Sequence, residues 1–442
     1  MNQGTDVDID ELREAWWLLS IEDRLAGFRM LDAGAAGEFF SDLDPHDQAA
    51  LLLALRTQER RTWLRHLAPD DAVDLLQEVD DDERAGLITL LDHATRREVT
   101  VLLAYKEDEA GGLMSSRFAR LRPDMTIDEA VGYLRRQAVS SVELETFYYI
   151  YVLDAAQRLL GVVTFRSLFS VAGSRLVRDI MRDDVVTVHE EMDQEDVARL
   201  FAEYDLIALP VVDPDGRMKG IVTVDDIVDV VEEEATEDAH KFGGLEALEL
   251  PYLRTSVFSL IRKRAGWLIF LFLGGMLTAT ALGQFEDSIA ALSFLTLFIP
   301  LIIASGGNSG SQASTLVIRA MAVDEVRLRD WWRVARREVA TGVALGAVLG
   351  AIGFVRVFFF PGAIAELGQN AVLLMGLTMT ISLLGVVLFG TLVGSMLPFL
   401  LRRAGLDPAS ASAPLVATLV DVTGLLIYFF TASYLLREFF GT

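Results

Sequence analysis

The hydrophobic positions divide the 442-residue chain into three parts with different periods. In residues 8–110, apolar side chains recur every three to four positions, as in ALLLALRTQERRTWLRHL, DDAVDLLQEV and ERAGLITLLDHA, which is typical of amphipathic helices. Asp-rich junctions such as Asp80 to Asp82 separate the segments and suit helix N-termini. Because the segments resemble one another, the pattern predicts an all-α domain of stacked antiparallel helix pairs, a superhelical module.

Residues 118–234 contain an internal repeat with a mixed pattern. The first copy has a helical segment (TIDEAVGYLRR), a β-rich run (TFYYIYVLD) and then Gly161 to Thr164. The second copy has DQEDVARLFAEYD, ALPVVDPDG and then Gly220 to Thr223. The Pro-Asp-Gly of the second copy is a strong turn signal between two strands. The pattern predicts two α/β domains in tandem, each with the order helix, strand, turn, strand, helix.

The rest of the chain is strongly apolar and predicts an all-α membrane domain. A run of about 20 apolar residues is long enough to cross a bilayer. Five stretches qualify as predicted spans, at 265–284, 289–320, 338–360, 371–401 and 413–437. The preceding segment from Tyr252 to Arg264 (YLRTSVFSLIRKR) predicts a basic amphipathic helix, which is either an interfacial helix or a coupling element between the soluble and membrane parts.

Basic residues indicate how the membrane domain is oriented. Lysine and arginine precede span one, fill the connection between spans two and three, and follow span four, whereas the loops GQFEDS and PGAIAELGQN contain neither. By the positive-inside rule, the N-terminal part is cytoplasmic and the C-terminus lies outside. Arg356, in span three, is an exception that we expect to snorkel to the outer interface. We therefore expect a multi-pass protein of the cell (inner) membrane.

Charge and composition narrow the classes of function. The net charge of −25 is carried by residues 1–261, at −28, while residues 262–442 hold +3. So acidic a surface repels nucleic acid and attracts cations, although it also serves plain solubility. The chain has no cysteine, so hard oxygen ligands are the expected metal chemistry. No nucleophile–base pair or phosphate loop is visible, and we do not expect an enzyme.

Asp421 is the one formal charge in the 24 residues APLVATLVDVTGLLIYFFTASYLL. An ionised carboxylate near the middle of a bilayer costs about 3 kcal/mol or more, so it usually faces a cavity, a partner charge or a transported ion. The alternative is a carboxylate bound by nearby hydroxyls such as those of Thr418 and Thr423. Asp407, before Pro408, is either a second stop for an ion or the N-cap of the last span.

Two further polar features are open to two interpretations each. The run from Ser305 to Thr315 (SGGNSGSQAST) has only small or polar residues, which either pack helices closely or line a water-filled path. In the soluble part, Asp70, Asp71 and Asp74 share one helix face, and eight acids crowd residues 225–238. Such like charges disfavour a helix. They form either a solvated face or a site that divalent cations neutralise between two domains.

Several of these motifs together resemble the MgtE magnesium channels. They are GGNSGSQASTLVIRAMA, LPFLLRRAGLDPASASAPLVATLVDVTGLLIYF, EDEAGGLM and the tandem repeat, which resembles a pair of CBS domains. The resemblance implies a homodimer that conducts Mg²⁺ down its gradient and closes when intracellular Mg²⁺ binds between the cytosolic domains. It also implies a domain order: helical N domain 1–117, CBS domains 118–176 and 177–238, connecting plug helix 239–264, and five-helix transmembrane domain 265–442.

The resemblance also assigns residues. In the pore, Asp421 matches an aspartate that holds hydrated Mg²⁺, with Asp407 as a second acid and the carbonyls of Ala413 and Ala417 as neighbours. The polar pore segment comprises Gly306, Gly307, Asn308, Gly310 and Gln312. The cytosolic Mg²⁺ ligands comprise Asp70, Asp74, Asp193, Glu195, Ala202, Asp205, Asp226, Asp229, Glu234 and Glu237.

The chain departs from the family pattern at three positions. Ser311 replaces an asparagine of the polar segment, and Ala413 stands where the family often has asparagine. In ATP-binding members, an aspartate three residues after the CBS threonine binds the ribose. Ser167 at that position speaks against ATP binding in the first repeat. The second repeat keeps Asp226, for which both ATP and Mg²⁺ stay open.

Two other functions are compatible with the residues. One is a membrane-anchored sensor whose CBS pair binds a nucleotide and whose spans only dimerise; such a sensor has no use for Asp421. The other is a transporter of Mn²⁺ or Co²⁺, against which the lack of intramembrane histidine, cysteine and further acids speaks.

Overall fold

The computed structural model of the chain describes residues 8–138, 144–248, 250–285, 293–359 and 363–436. It consists of two compact units, Met1–Glu232 and Glu233–Thr442. The predicted loop between spans one and two lies largely at 286–292, and the start of the loop between spans three and four lies at 360–362, both outside the described residues.

The first unit begins with nine helices, as the spacing of apolar residues predicts. Side chains cap several of them at the Asp or Ser junctions; the Asp92 carboxylate, for example, accepts hydrogen bonds from the backbone N–H groups of Ala94 and Thr95. Helix α2 packs on α4, α4 on α6 and α6 on α8, so alternate helices stack through one continuous apolar core. The bounds are α1 Ile9–Ala15, α2 Ile21–Phe28, α3 Ala33–Ser41, α4 Pro45–Ala54, α5 Thr57–Leu64, α6 Pro69–Gln77, α7 Asp81–Leu90, α8 His93–Leu102 and α9 Ala110–Leu113, with a 3₁₀ turn at Trp16–Leu18.

The repeat predicted for residues 118–234 forms two similar three-stranded sheets. In each sheet a short parallel strand adds to the predicted antiparallel hairpin, giving the orders β1-β2-β3 and β4-β5-β6. Each short strand has only two residues, too few for alternation to reveal it. The bounds are β1 Arg120–Leu121, α10 Ile127–Ala138, β2 Tyr149–Leu153, β3 Leu159–Thr164, α11 Phe165–Phe169, β4 Val188–His189, α12 Gln194–Tyr204, β5 Ala208–Val212, β6 Met218–Thr223 and α13 Val224–Phe242, with a 3₁₀ turn at Val177–Asp179.

The strands of each repeat pair as an antiparallel hairpin, as the sequence pattern predicts. Tyr151 pairs with Val162 in the first hairpin, and Pro210 pairs with Ile221 in the second. The second hairpin turns at Gly216, whose φ of +75° lies in the left-handed region that glycine adopts freely. The segment that follows α9 joins the helical domain to the second sheet. The N–H of Ser115 donates to the carbonyl of Ile221, and the N–H of Ile221 donates to the carbonyl of Ser115.

The second unit is helical. Its bounds are α14 Val257–Gln284, α15 Ile299–Ala322, α16 Trp331–Phe358, α17 Ala363–Arg403 and α18 Ala413–Leu435, with 3₁₀ turns at Ser293–Phe298, Leu328–Asp330 and Pro408–Ser410. Within the described ranges, four of these helices are long and apolar enough to cross a membrane: α14, α16, α17 and α18. Helix α15 has 24 residues, but its small and polar residues reduce its hydropathy.

Several predicted bounds were wrong at their ends. The predicted amphipathic segment and span one belong to a single helix, α14, which starts after the Ser256 cap rather than at 265. Helix α17 starts at Ala363 rather than 371. In each case the polar residues that suggested a boundary lie within the helix.

Glycine pairs allow the helices of the second unit to approach closely. Gly306 and Gly310 of α15 lie against Gly390 and Gly394 of α17, where any added Cβ would meet a backbone carbonyl of the other helix. On the other side of α17, Gly346 of α16 faces the backbone of Leu384. Such small-residue contacts are typical of helix pairs in membranes. For Gly306 and Gly310 the packing interpretation therefore holds.

Candidate functional site

Asp421 lies half-buried on α18, two turns after Ala413 and one turn after Ala417. The hydroxyls of Thr418 and Thr423 donate to carbonyl oxygens of their own helix, those of Pro414 (2.9 Å) and Leu419 (2.9 Å). Because a hydroxyl has a single hydrogen to donate, neither threonine donates to Asp421. The alternative in which these hydroxyls bind the carboxylate is therefore wrong for this arrangement.

The polar run of α15, Ser305 to Thr315, packs along the face of α18 that carries Ala413 and Ala417. The Ser311 hydroxyl donates to the carbonyl oxygen of Ala413 at 3.3 Å, and the Ser314 hydroxyl donates to the carbonyl oxygen of Ala411 at 2.8 Å. One turn along, a Cβ on Gly307 would lie 3.5 Å from the Ala417 Cβ, in ordinary contact. The two helices run antiparallel, so the small residues of α15 border the turns that lead to Asp421.

Asn308 and Gln312 lie on a different face of α15. Both side chains are exposed and stand one helical turn apart, whereas Gly306, Gly307 and Gly310 are buried against α17 and α18. The five residues of the predicted polar pore segment thus divide into three that pack and two amides that point away from the neighbouring helices.

Asp407 is an N-cap, but not of the last span. Its Oδ1 accepts a hydrogen bond of 2.8 Å from the N–H of Ala409 and so caps the 3₁₀ turn Pro408–Ser410. Ser412 caps α18 itself by accepting from the N–H of Leu415 at 3.4 Å. The second oxygen of Asp407 lies 2.7 Å from the Nζ of Lys241. Of the two alternatives for Asp407, a cap of α18 does not hold, because the 3₁₀ turn comes between them.

In the first unit, carboxylates of α6 and α13 influence one another electrostatically. Asp70, Asp71 and Asp74 stand in the first two turns of α6, and Asp225 and Asp226 begin α13. The two sets are 150 residues apart in sequence, but the charges of α6 raise the pKa of acids on α13 and the reverse is also true.

The pKa values of this acidic cluster are displaced upward. Burial, with the charge of Asp71, raises the pKa of Asp70 to about 6. Burial, with the charges of Asp71 and Asp70, raises the pKa of Asp74 to about 8. Burial also raises the pKa of Asp226 to about 6, although the Thr223 hydroxyl, which donates to it at 2.7 Å, acts in the opposite direction. Burial and the neighbouring carboxylates therefore outweigh the charge of Arg117, which lowers the pKa of Asp70.

Glu145 belongs to this cluster, and the sequence patterns did not single it out. Burial, together with the charges of Asp70 and Asp226, raises its pKa to about 7. The Ser115 hydroxyl donates to it at 3.3 Å. Glu145 precedes β2 in a segment with no helical spacing, so no pattern of charges in the sequence connects it with α6 or α13.

The cluster also contains a buried carboxylate oxygen that accepts no hydrogen bond from the described residues. Oδ1 of Asp70 is buried and has no hydrogen-bond partner among the described residues. Such an oxygen is costly unless a donor or a cation approaches it. Within the described ranges, no three acidic or histidine side chains form a group that could hold a metal ion directly.

The remaining predicted cytosolic ligands lie at separate places. Asp193 caps α12 and accepts from the N–H of Glu195 at 2.9 Å, whereas Ala202 and Asp205 stand at the other end of that helix. An α-helix rises 1.5 Å per residue, so the two ends are roughly 15 Å apart. Asp229, Glu234 and Glu237 follow along α13 after Asp226.

In each CBS-like repeat, the threonine at the end of the last strand is hydrogen-bonded to the side chain three residues later. That side chain differs between the two repeats. Thr223 donates to the Asp226 carboxylate at 2.7 Å, and Thr164 and Ser167 are hydrogen-bonded at the same distance in the first repeat. Ser167 thus occupies the position that the resemblance assigns to a ribose-binding carboxylate. The first repeat has a hydroxyl there and no negative charge.

Comparisons with known proteins cover nearly the whole chain. It matches the family MgtE, described as a divalent cation transporter, over residues 299–431, the MgtE intracellular N domain over 7–108 and the CBS domain over 110–173 and 177–233. The magnesium transporter MgtE of Thermus thermophilus is 43% identical over 98% of this chain and 94% of its own length. The chain belongs to the MgtE family.

Other similar proteins carry the same names. The MgtE magnesium transporter of Enterococcus faecalis is 34% identical over 77% of this chain and 72% of its own length. A crystal structure of the cytosolic domain of the Mg²⁺ channel MgtE in complex with ATP is 42% identical and covers 51% of this chain and 92% of that one, with a TM-score of 0.48.

Membership of the MgtE family confirms several predictions at a coarse level. The chain is a membrane transporter and not an enzyme, and it has an intracellular N domain followed by two CBS domains and a helical part with apolar helices. The family transports divalent cations, and the curated relatives are named for magnesium. The sensor that only dimerises in the membrane is excluded as the identity of this chain.

Proposed function

We propose that the chain is a Mg²⁺ channel, which lets Mg²⁺ enter the cell down its electrochemical gradient and closes when intracellular Mg²⁺ binds the acidic cluster of the first unit. The observation that carries the proposal is the half-buried Asp421 in an otherwise apolar helix of a divalent cation transporter. A carboxylate at such a depth is costly unless a cation accompanies it.

The surroundings of Asp421 suit a hydrated ion. Mg²⁺ gives up its water reluctantly and is usually held by one or two carboxylates through retained waters. The carbonyl of Ala417, one turn before Asp421, has a second lone pair beyond its helical hydrogen bond that can accept from such a water. The Ala413 carbonyl accepts both from its own helix and from the Ser311 hydroxyl, and this second bond holds α15 beside the turns that lead to Asp421.

The proposal includes a homodimer with five membrane helices in each chain, the N-terminus inside and the C-terminus outside. The exposed amides of Asn308 and Gln312 support this assembly, because α15 then has a polar face toward a shared path and a small-residue face toward its own chain. Two Asp421 side chains in a dimer would form a carboxylate ring of the kind used by cation pores.

The acidic cluster of α6, α13 and Glu145 would sense intracellular Mg²⁺. Its carboxylates have raised pKa values, and Oδ1 of Asp70 has no hydrogen-bond partner among the described residues. Both features are typical of carboxylates that a bound cation would stabilise. Divalent cations would offset the repulsion between the carboxylates of α6 and those at the start of α13, and loss of Mg²⁺ would restore it.

The test is Mg²⁺ uptake into liposomes that contain the purified full-length protein, with internal Mg²⁺ set to different levels. We expect uptake that is fast at low internal Mg²⁺ and falls as internal Mg²⁺ rises. The double variant Asp74→Asn and Asp226→Asn should need more internal Mg²⁺ to close. Uptake that ignores internal Mg²⁺ would contradict the sensing role, and uptake of Mn²⁺ or Co²⁺ in preference to Mg²⁺ would contradict the assigned ion.

A further inference from the structure

Lys241, in the last turn of α13, is bound to Asp407 beside the start of α18. Its Nζ lies 2.7 Å from Oδ2 of Asp407 and also forms an ion pair with Glu237, one turn earlier on α13. The other oxygen of Asp407 is engaged by the N–H of Ala409. Both oxygens of Asp407 are thus occupied by groups of the chain, and all these residues belong to the second unit.

An apolar contact adjoins the ion pair. Phe242 packs against the buried side chains of Ile318, Ala409 and Ala411, which bring together α15 and the 3₁₀ turn that leads into α18. Lys241 and Phe242 therefore attach the end of α13 at adjacent points. The first attachment depends on charge, and the second depends on burial of apolar surface.

The lysine is charged in this setting. Lysine is protonated near neutral pH, and contact with the carboxylates of Asp407 and Glu237 favours that charged form. Two carboxylates, those of Asp407 and Glu237, contact one ammonium group, which is compact enough to bind both.

We propose that Lys241 is a positioning residue for Asp407: a cation, built into the chain, that holds the end of α13 against the entrance of α18 in the closed channel. The proposal rests on the proposed function and adds a part of closure that needs no free Mg²⁺. Opening the channel would separate the ammonium group from Asp407.

A competing role for Lys241 predicts that removing its charge shifts the half-closing Mg²⁺ concentration in the opposite direction. If Lys241 only competed with Mg²⁺ for Asp407 and Glu237, removing its charge would improve Mg²⁺ binding, and the channel would close at lower internal Mg²⁺. If Lys241 holds the closed arrangement, removing its charge weakens closure, and more internal Mg²⁺ is required. Partly exposed ion pairs contribute up to about 1 kcal/mol, which corresponds to a shift of about two- to fivefold in the half-closing concentration.

The experiment compares wild type, Lys241→Met and Lys241→Arg as full-length proteins in liposomes, with Lys106→Met as the matched control. Lys106 pairs with Glu109 on its own segment of the first unit and is largely exposed. We expect Lys241→Met to raise the internal Mg²⁺ for half-closure about two- to fivefold, and Lys241→Arg and Lys106→Met to stay near wild type. An unchanged or lowered half-closing concentration in Lys241→Met would overturn the proposal.

A second measurement is independent of transport. The chain has no cysteine, so Ala409→Cys introduces a single thiol at a position that is 2% exposed and covered by Phe242. We expect a maleimide to label this thiol faster when Lys241→Met is added, and the added Lys241→Arg to restore slow labelling. Equal labelling rates would overturn the role of Lys241, whereas absence of Mg²⁺ uptake by the wild type would overturn the proposed function instead.

Discussion

The hydroxyl of Ser311 on α15 donates to the carbonyl oxygen of Ala413 on the first turn of α18. This hydrogen bond connects the polar run of one membrane helix to the turn that leads toward Asp421. The resemblance to the family places an asparagine at position 311, where this chain has a serine that donates to the Ala413 carbonyl.

Removing the Ser311 hydroxyl should lower Mg²⁺ uptake without preventing folding. Ser311→Ala leaves the Ala413 carbonyl without its donor, and a hydrogen bond of this kind contributes about 1 kcal/mol, so we expect uptake to fall about fivefold. Ser305→Ala is the control, because Ser305 donates to Leu301 on its own helix. Equal uptake by the two variants would show that the bond has no part in conduction.

Glycine at position 394 should be necessary for helix packing. A Cβ on Gly394 would clash with the Gly310 carbonyl, and backbone atoms of a packed helix cannot yield as a flexible side chain does. We expect Gly394→Ala to cost about 1–3 kcal/mol and to lower the thermal midpoint of the protein in detergent. Gly275→Ala on α14, where an added Cβ meets nothing within 4 Å, should change little. Similar midpoints for both variants would contradict the packing described.

Neutralising Glu145 should make closure less sensitive to Mg²⁺. Glu145 adds a negative charge to the cluster of Asp70 and Asp226, so Glu145→Gln should weaken cation binding and raise the internal Mg²⁺ needed for half-closure. Glu14→Gln changes an exposed acid on α1 and serves as the control. If the two variants close at the same Mg²⁺ concentration, Glu145 does not belong to the sensing site.

The stability of the first unit without Mg²⁺ should decrease as pH rises. The folded-state pKa values of Asp70, Asp74 and Glu145 lie above their ordinary values, so the folded unit binds more protons than the unfolded chain. Stability is therefore greatest below about pH 4 as far as these groups are concerned, and it is lost as pH rises to about 8. Proteolysis of the cytosolic part in a chelator should accelerate over this range, and Mg²⁺ should suppress the acceleration. A pH-independent rate would contradict the raised pKa values.

The sequence predicted most elements because their periodicity is local. Helical spacing before residue 110, two hairpins, the second of which turns at Gly216, and long apolar runs each depend on near neighbours in the chain. What it missed depends on tertiary contacts: the two-residue strands β1 and β4, the start of α17 within a polar segment, and the membership of Glu145 in a cluster formed by α6 and α13.

The contacts of Asp407 also depend on parts of the chain that local sequence patterns do not connect. A carboxylate before a proline predicts a cap, and the cap exists, but it belongs to a 3₁₀ turn that the pattern does not distinguish from the start of α18. The partner on the other oxygen, Lys241, is 166 residues earlier in the chain, and no spacing rule connects the two positions.

The most direct test of the account is Mg²⁺ uptake by Asp421→Asn in liposomes at low internal Mg²⁺. Asparagine keeps the size of the side chain and removes its charge, and Glu338→Gln makes the matched change on α16, another apolar helix of the same unit. We predict uptake at the level of empty liposomes for Asp421→Asn and near wild type for Glu338→Gln, with both proteins monodisperse in detergent. Uptake by Asp421→Asn within about twofold of wild type, less than the tenfold that 1.4 kcal/mol represents, would contradict the assignment of the ion path.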